Sequence, residues 1–163
     1  MVFEKAKLFW DKSGKNEIVA LRIDDDSDYN SLLRNCHNDG YRQVVITSEI
    51  MTQIIRHVYL DDNEIVQKIE FIEDDPELDY EITVLLHAIK NNLSRLDDLI
   101  HKLESLAEKS SIDLKRIYVK KPYSIGEKLI CFFVQTNGIV GVNSESFDTV
   151  VKELSTLVKE CLV

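Results

Sequence analysis

ELDYEITVLLHAIKNNLSRLDDLIHKLESLAEKS, Glu77 to Ser110, is the stretch on which the fold turns. From Leu78 its apolar residues recur at Ile82, Leu86, Ile89, Leu93, Leu96, Ile100, Leu103 and Ala107. After the first step the spacing alternates four, three, four, three, which is a heptad pattern. It predicts a long amphipathic helix over about 77–110, roughly 50 Å in length at the usual rise if unbroken. Glu73-Asp74-Asp75-Pro76-Glu77 opens it, with proline suited to the first turn and acids to the positive end of the helix dipole. Asn91-Asn92, followed by Ser94 and Asp97 at capping-box spacing, leaves two packed helices as the alternative. Leu85, Leu99 and Leu106 lie beside the stripe and widen it. With Leu93 they are the expected interaction residues, apolar surface to spare for a partner.

Outward from the stripe, both flanks read as strands, turns and shorter helices. Ala6–Trp10 and Glu17–Ile23 form the arms of a hairpin over 6–23, with turn chemistry at Asp11 to Asn16. Asp24-Asp25-Asp26-Ser27-Asp28 stops the second arm and caps a short helix bearing Tyr29, Leu32, Leu33 and Cys36. Gly40 suits its left-handed end. Val44-Val45-Ile46 reads as a short buried strand. Residues 49–60 fit either a helix bearing Ile50, Ile54, Ile55 and Val58 or one arm of a hairpin, and the helix is slightly favoured. Ile65–Ile72 is a strand. Beyond the stripe, Leu114–Val119 and Lys128–Thr136 are strands separated by 121–126. Asn137-Gly138 turns the second into Ile139–Val142 through an expected type I′ hairpin. Ser144 is placed to cap a last helix carrying Phe147, Val150, Val151, Leu154, Leu157, Val158, Cys161 and Leu162. The expected fold is one α/β (α+β) domain over 1–163. It has a mainly antiparallel sheet, a long amphipathic helix and a C-terminal helix packed on it, the last strands and helix filling 114–162.

Composition narrows the function. The chain has 163 residues and a net charge of −9, with a pI of about 4.9. An acidic surface repels phosphate backbones, so nucleic acid is not an expected partner. The one basic cluster, Lys115, Arg116, Lys120 and Lys121, reads as a solvated strand face. No apolar run reaches the length that crosses a bilayer, so membrane insertion is not expected. Cys36, Cys131 and Cys161 are odd in number and widely spaced, which suggests reduced thiols and a cytoplasmic setting. Asn92-Leu93-Ser94 is a chance glycosylation match, because no leader sequence is legible.

No nucleophile elbow, zinc-protease helix, phosphate loop, dinucleotide fingerprint or EF-hand spacing is present. His37, His57, His87 and His101 are scattered. The sharpest chemistry is at the strand ends. Asp24, Asp25, Asp74 and Asp75 are candidate ligands for Mg²⁺, since acids after strands of an α/β sheet favour such sites. Strand stop and helix cap is the plainer account of the same acids. Two fragments, Ile69–Leu78 and Val119–Ser124, resemble the acidic pair and the Lys-Pro of receiver domains. The long helix leaves no room for the central strand of that fold.

At the level of topology the segment from Glu77 onward, a long helix, three strands with an Asn-Gly turn and a terminal helix, resembles roadblock/longin-type modules of the profilin-like class. The opening hairpin with Lys7-Leu8-Phe9-Trp10-Asp11-Lys12-Ser13-Gly14 is similar to theirs, while Asp24–Ile72 departs from the pattern. The resemblance implies a non-catalytic dimeric scaffold that engages small GTPases or trafficking and motility complexes. The expected function is therefore a cytoplasmic interaction or adaptor module that self-associates or joins a protein partner, without a cofactor. The alternatives are a Mg²⁺-dependent regulatory or phosphoryl-transfer domain and a small acidic chaperone.

Overall fold

A computed structural model describes residues 2–12, 16–24, 28–125, 128–143 and 146–162, with no side chain described between 123 and 128. Strand β1 (Glu4–Trp10) pairs with β2 (Ile18–Ile23) in an antiparallel hairpin, from Lys5 opposite Ile23 to Trp10 opposite Ile18. Asp28 caps α1 (Tyr29–Asn38) by accepting from the Asn30 N–H at 3.0 Å. Gly40, at φ +91°, takes the left-handed turn beyond it. The short β3 is Arg42–Gln43, paired with Phe9 and Trp10. The strand expected at Val44–Ile46 is not formed. Val44 and Ile46 are held by single bonds instead, the Val44 N–H to Leu8 O at 3.2 Å and the Ile46 N–H to Thr136 O at 2.8 Å.

Residues 49–60 are helical. Helix α2 (Ser48–Leu60) buries Met51, Ile54, Ile55, Val58 and Tyr59, spaced for one helical face. It leads to β4 (Ile65–Phe71) and then α3 (Pro76–Asn91). The single helix expected over 77–110 is corrected: the stripe is two helices. Asn92 is extended, at φ −154° and ψ 103°. Its Oδ1 accepts from the Ser94 N–H at 3.1 Å and the Ser94 hydroxyl at 2.7 Å. An asparagine side chain that satisfies local donors competes with the helix ladder and ends it. One 3-10 turn, Leu93–Arg95, follows before α4 (Leu96–Lys109).

The chain then runs through β5 (Leu114–Ile125), β6 (Lys128–Gln135), β7 (Ile139–Val142) and α5 (Phe147–Leu162). The break expected at 121–126 is absent at its start: β5 continues through Pro122, with a register shift between Lys120 and Ser124. Gly138, at φ +82°, is the left-handed residue of the β6–β7 turn, and Asn137 is not among the positive-φ residues. The turn is closed by the Gly138 N–H to Gln135 O at 3.0 Å. It is thus a tight turn followed by a left-handed glycine, not the expected type I′ pair. Ser144 lies outside the described residues, and so does its expected capping role.

Among the described residues the strands form one antiparallel sheet in the order β2-β1-β7-β6-β5-β4. The main core joins one face of this sheet (Ala6, Leu8, Ile117, Val119, Phe132, Val134, Val140) to apolar residues of α2, α3, α4 and α5. Leu99 and Ile100 are wholly inside it. None of Tyr29, Leu32, Leu33 or Cys36 of α1 belongs to this core. The mixed α/β, mainly antiparallel, single-domain class read from the sequence is the one observed. No described helix is long and apolar enough to cross a membrane.

Candidate functional site: a lysine–carboxylate cleft

The described strand-end acids, Asp24, Asp74 and Asp75, are not brought together. Asp24 follows β2 and Asp74 follows β4, which are the two outer strands of the sheet. Five strand spacings separate those edges, about 24 Å at the usual interstrand distance. Asp75 Oδ1 accepts from the Leu78 N–H at 3.2 Å, so it is the cap of α3. Asp74 is exposed, in a hollow shared with Lys68 and Lys115. Asp25 lies outside the described residues. Asp24 and the pair Asp74-Asp75 therefore cannot hold one Mg²⁺ between them.

The interaction leucines are redistributed as well. Leu99 and Leu106 are buried in the chain's own core and are corrected from surface to interior. Leu85 is half-buried against the core. Of the four, Leu93 alone is exposed, in the turn after α3; the exposed apolar pair on α3 itself is Tyr80 and Val84, which the sequence reading did not single out.

What the fold does bring together is a cleft of about 540 Å³ between the end of α2, β5 and α5. The construction begins at the α2 terminus. Asn63, at φ +53°, bends the chain back so that the Glu64 N–H donates to Val58 O at 2.9 Å. The Tyr59 hydroxyl accepts from the Val66 N–H at 3.2 Å and fixes the entry to β4. Burial pushes the Tyr59 phenol up to about 12. The Glu64 side chain is thereby drawn inside, with 4% of it exposed.

Lys121 reaches the same place from β5. Ile117, Val119 and Lys121 alternate onto the helix-bearing face, so the lysine is buried where the next apolar residue would stand. Its Nζ lies 3.2 Å from Glu64 Oε2 and 3.0 Å from Glu153 Oε2 of α5. It also sits 5.7 Å from the centre of the Phe132 ring. The expectation of a solvated basic face fails for this residue. Arg116, its neighbour on the opposite face, stacks over Phe133 at 4.5 Å and donates to the Tyr118 hydroxyl at 2.7 Å.

Electrostatics follow from burial. Loss of water pushes the Glu64 carboxyl up to about 7, against the pull of the Lys121 charge. Burial alone would lower the lysine. The hydrogen bond that Lys121 donates to Glu153 and the charge of Glu64 outweigh that and leave it above its ordinary value, hence charged. Around the pair, His57 Nδ1 meets Asp61 Oδ2 at 2.7 Å and Nε2 lies 3.6 Å from Asp62 Oδ2. Glu160 completes the acidic rim, and Pro122, Val150, Leu154 and Leu157 supply apolar walls.

The sequence carried one usable sign of this site, the continuation of the Ile117-Val119 alternation onto Lys121. Glu64 carried none, because an acid after Asp61-Asp62-Asn63 reads as more turn.

No family model matches the chain, and no curated protein or solved structure matches it either.

Proposed function

We propose that this protein is a non-catalytic interaction module, an adaptor that self-associates or enters a complex through the outer face of α3. The carrying observation is apolar exposure on that face. Tyr80 is 72% exposed and Val84 49%. Tyr80 and Val84 are four residues apart and share a face. Burying each large side chain is worth about 1.5–3 kcal/mol gross, enough for a small cluster to offset part of the cost of association. The buried stripe of α3 and α4 supports the same reading from within, because it roots this face on a rigid core.

The resemblance to roadblock/longin-type modules is part of the proposal. It draws support from the β1–β2 hairpin beside β7, the β5-β6-β7 meander and the closing helix α5. The outer strand β4 and the break at Asn92 are departures. The three free cysteines suit a reducing compartment such as the cytoplasm. A small acidic chaperone is the second reading, favoured by the acid-rimmed cleft with apolar walls.

Light scattering after size exclusion tests the proposal. A dimer at micromolar concentration that Val84→Glu with Tyr80→Ser converts to a monomer of unchanged circular dichroism is the expected result. A wild-type monomer whose captured partners are indifferent to both substitutions would overturn it.

A further inference from the structure

The sheet has two outer strands, and they end it differently. β4 is guarded: its pairing with β5 shifts register at two places, and Gln67 and Lys68 stand exposed on it. Irregularities and charges of this kind keep a free edge from pairing. β2 has no such guard. Ile18-Val19-Ala20-Leu21-Arg22-Ile23 pairs with β1 without a register shift and contains no proline. Its one charge, Arg22, is already held by Glu4 at 3.0 Å and Asp148 at 3.5 Å. Its apolar residues are all half-buried.

The backbone of β2 is half used. One step beyond the Trp10–Ile18 pair, the Asp11 N–H donates to Glu17 O at 2.8 Å. Antiparallel bonding alternates, so Val19, Leu21 and Ile23 turn their backbone groups toward β1. Leu8 agrees, since its N–H points the other way, to Gly138 O. Ile18, Ala20 and Arg22 therefore turn N–H and C=O away from the sheet, and no described strand meets them. Such a row of donors and acceptors matches an extended strand. Beside it, under α5, is a hollow of about 290 Å³ lined by Ile18, Ala20, Phe147 and Val151.

We propose that β2 pairs with β2 of a second copy of this chain, antiparallel and two-fold about Ala20, so that the two sheets become one. In this register Val19 of each copy faces Leu21 of the other, and the outward groups of Ile18, Ala20 and Arg22 are all bonded. Ile18 of each copy reaches the mouth of the other's hollow. A two-fold at Leu21 or at Arg22 would set the two arginines diagonal or opposed, whereas Ala20 keeps them apart. The helices agree. α5 runs over β2 from Asp148, beside Arg22, to Lys159, whose ammonium lies 2.9 Å from Glu17. The two-fold brings the Asp148 end of one copy to the Lys159 end of the other, so opposite charges meet.

The inference rests on the reading of the chain as a self-associating module and adds a second surface. α3 packs at the β4 end of the sheet, so one copy can use both surfaces. A short strand pair is weak, with a dissociation constant of about 0.01–1 mM.

The chain carrying Tyr80→Ser and Val84→Glu isolates this surface. Its light scattering up to about 1 mM should show mass rising from monomer toward dimer. Ala20→Pro removes an outward N–H that β1 does not use, and Leu21→Lys puts a charge on the outer side. Each should weaken association by about 10-fold or more with circular dichroism unchanged. Mild oxidation reads the register: Val19→Cys mixed with Leu21→Cys should form a disulfide-linked dimer that neither variant forms alone. A monomer throughout, or a dimer indifferent to both β2 substitutions, would overturn the proposal. So would single cysteine variants that cross-link as readily as the mixture. Because the α3 surface is removed before β2 is read, either proposal can fail without the other.

Discussion

Lys121 Nζ stands 3.2 Å from Glu64 Oε2, with 9% and 4% of the two side chains exposed, and this pair ties β5 to the entry of β4. The two residues are 57 positions apart in sequence and meet only because β4 lies beside β5 at the edge of the sheet. Glu153 of α5 lies 3.0 Å from the same ammonium, so three elements converge on one charge. Removing Lys121 would leave Glu64 charged or protonated away from water, whereas Glu153, 52% exposed, keeps its solvent.

Stability should fall as pH rises from about 4.5 to about 7. Glu64 is raised from 4.5 to about 7 in the folded chain. A raised carboxyl favours folding below its unfolded value, and that contribution is lost as pH rises through the folded one. The window is pH 4.5 to 7, and the full effect is about 3 kcal/mol. Thermal melts at pH 5 and pH 8 check it: wild type should lose stability across the window, and Glu64→Gln should lose much less.

Lys121→Met removes the counter-charge and leaves Glu64 buried beside an apolar group. The expected loss is about 3–5 kcal/mol at pH 8, the range for breaking a buried pair from one side. At pH 5 the carboxyl takes up a proton and the loss should shrink. Adding Glu64→Leu should recover much of the stability at pH 8. Urea unfolding of the single and double variants at both pH values measures this. An equal loss at pH 5 and pH 8 would show that the lysine acts through packing alone.

Gly138→Val joins two costs at the β6–β7 turn. The residue sits at φ +82°, where a β-branched side chain is strained. An added Cβ would also stand 2.4 Å from Val44 O, a backbone atom fixed by its neighbours. The Lys7 ammonium, buried at the same corner, donates to Asn137 O, so the turn has little freedom to move aside. A loss of about 2–4 kcal/mol is expected. A chemical denaturation midpoint equal to wild type would show that the corner is looser than described.

The fold class was legible because periodicity reports burial directly. The stripe of Ile82, Leu86, Ile89, Ile100 and Leu103 is core, and the N-terminal hairpin and the terminal helix stand where their patterns put them. Asn92 was visible as an alternative only, since its side chain can end a helix or sit exposed within one. The candidate site was nearly illegible. Lys121 looked like one of four surface cations beside a turn, and its burial follows from β5 continuing through Pro122, a tertiary fact. Glu64 needed β4 to be set against β5. Asp75, by contrast, is the helix cap that its place before Pro76 suggested.

The last prediction separates core from surface on the two helices that share the stripe. Leu99 was expected to be a spare leucine, and it is fully buried. Leu99→Glu places a charge among Ile100, Leu103 and their neighbours with no counter-ion, so it should unfold the chain or cost more than about 4 kcal/mol. Val84, 49% exposed on α3, has water at its surface already. Val84→Glu should change stability by less than about 1 kcal/mol in the isolated subunit, because surface substitutions in a helix rarely cost more. Far-UV circular dichroism and urea titration of the two variants, at a concentration low enough to dissociate any dimer, give the comparison. Equal loss in both would mean that the outer face of α3 is packed in the free chain and unavailable to a partner.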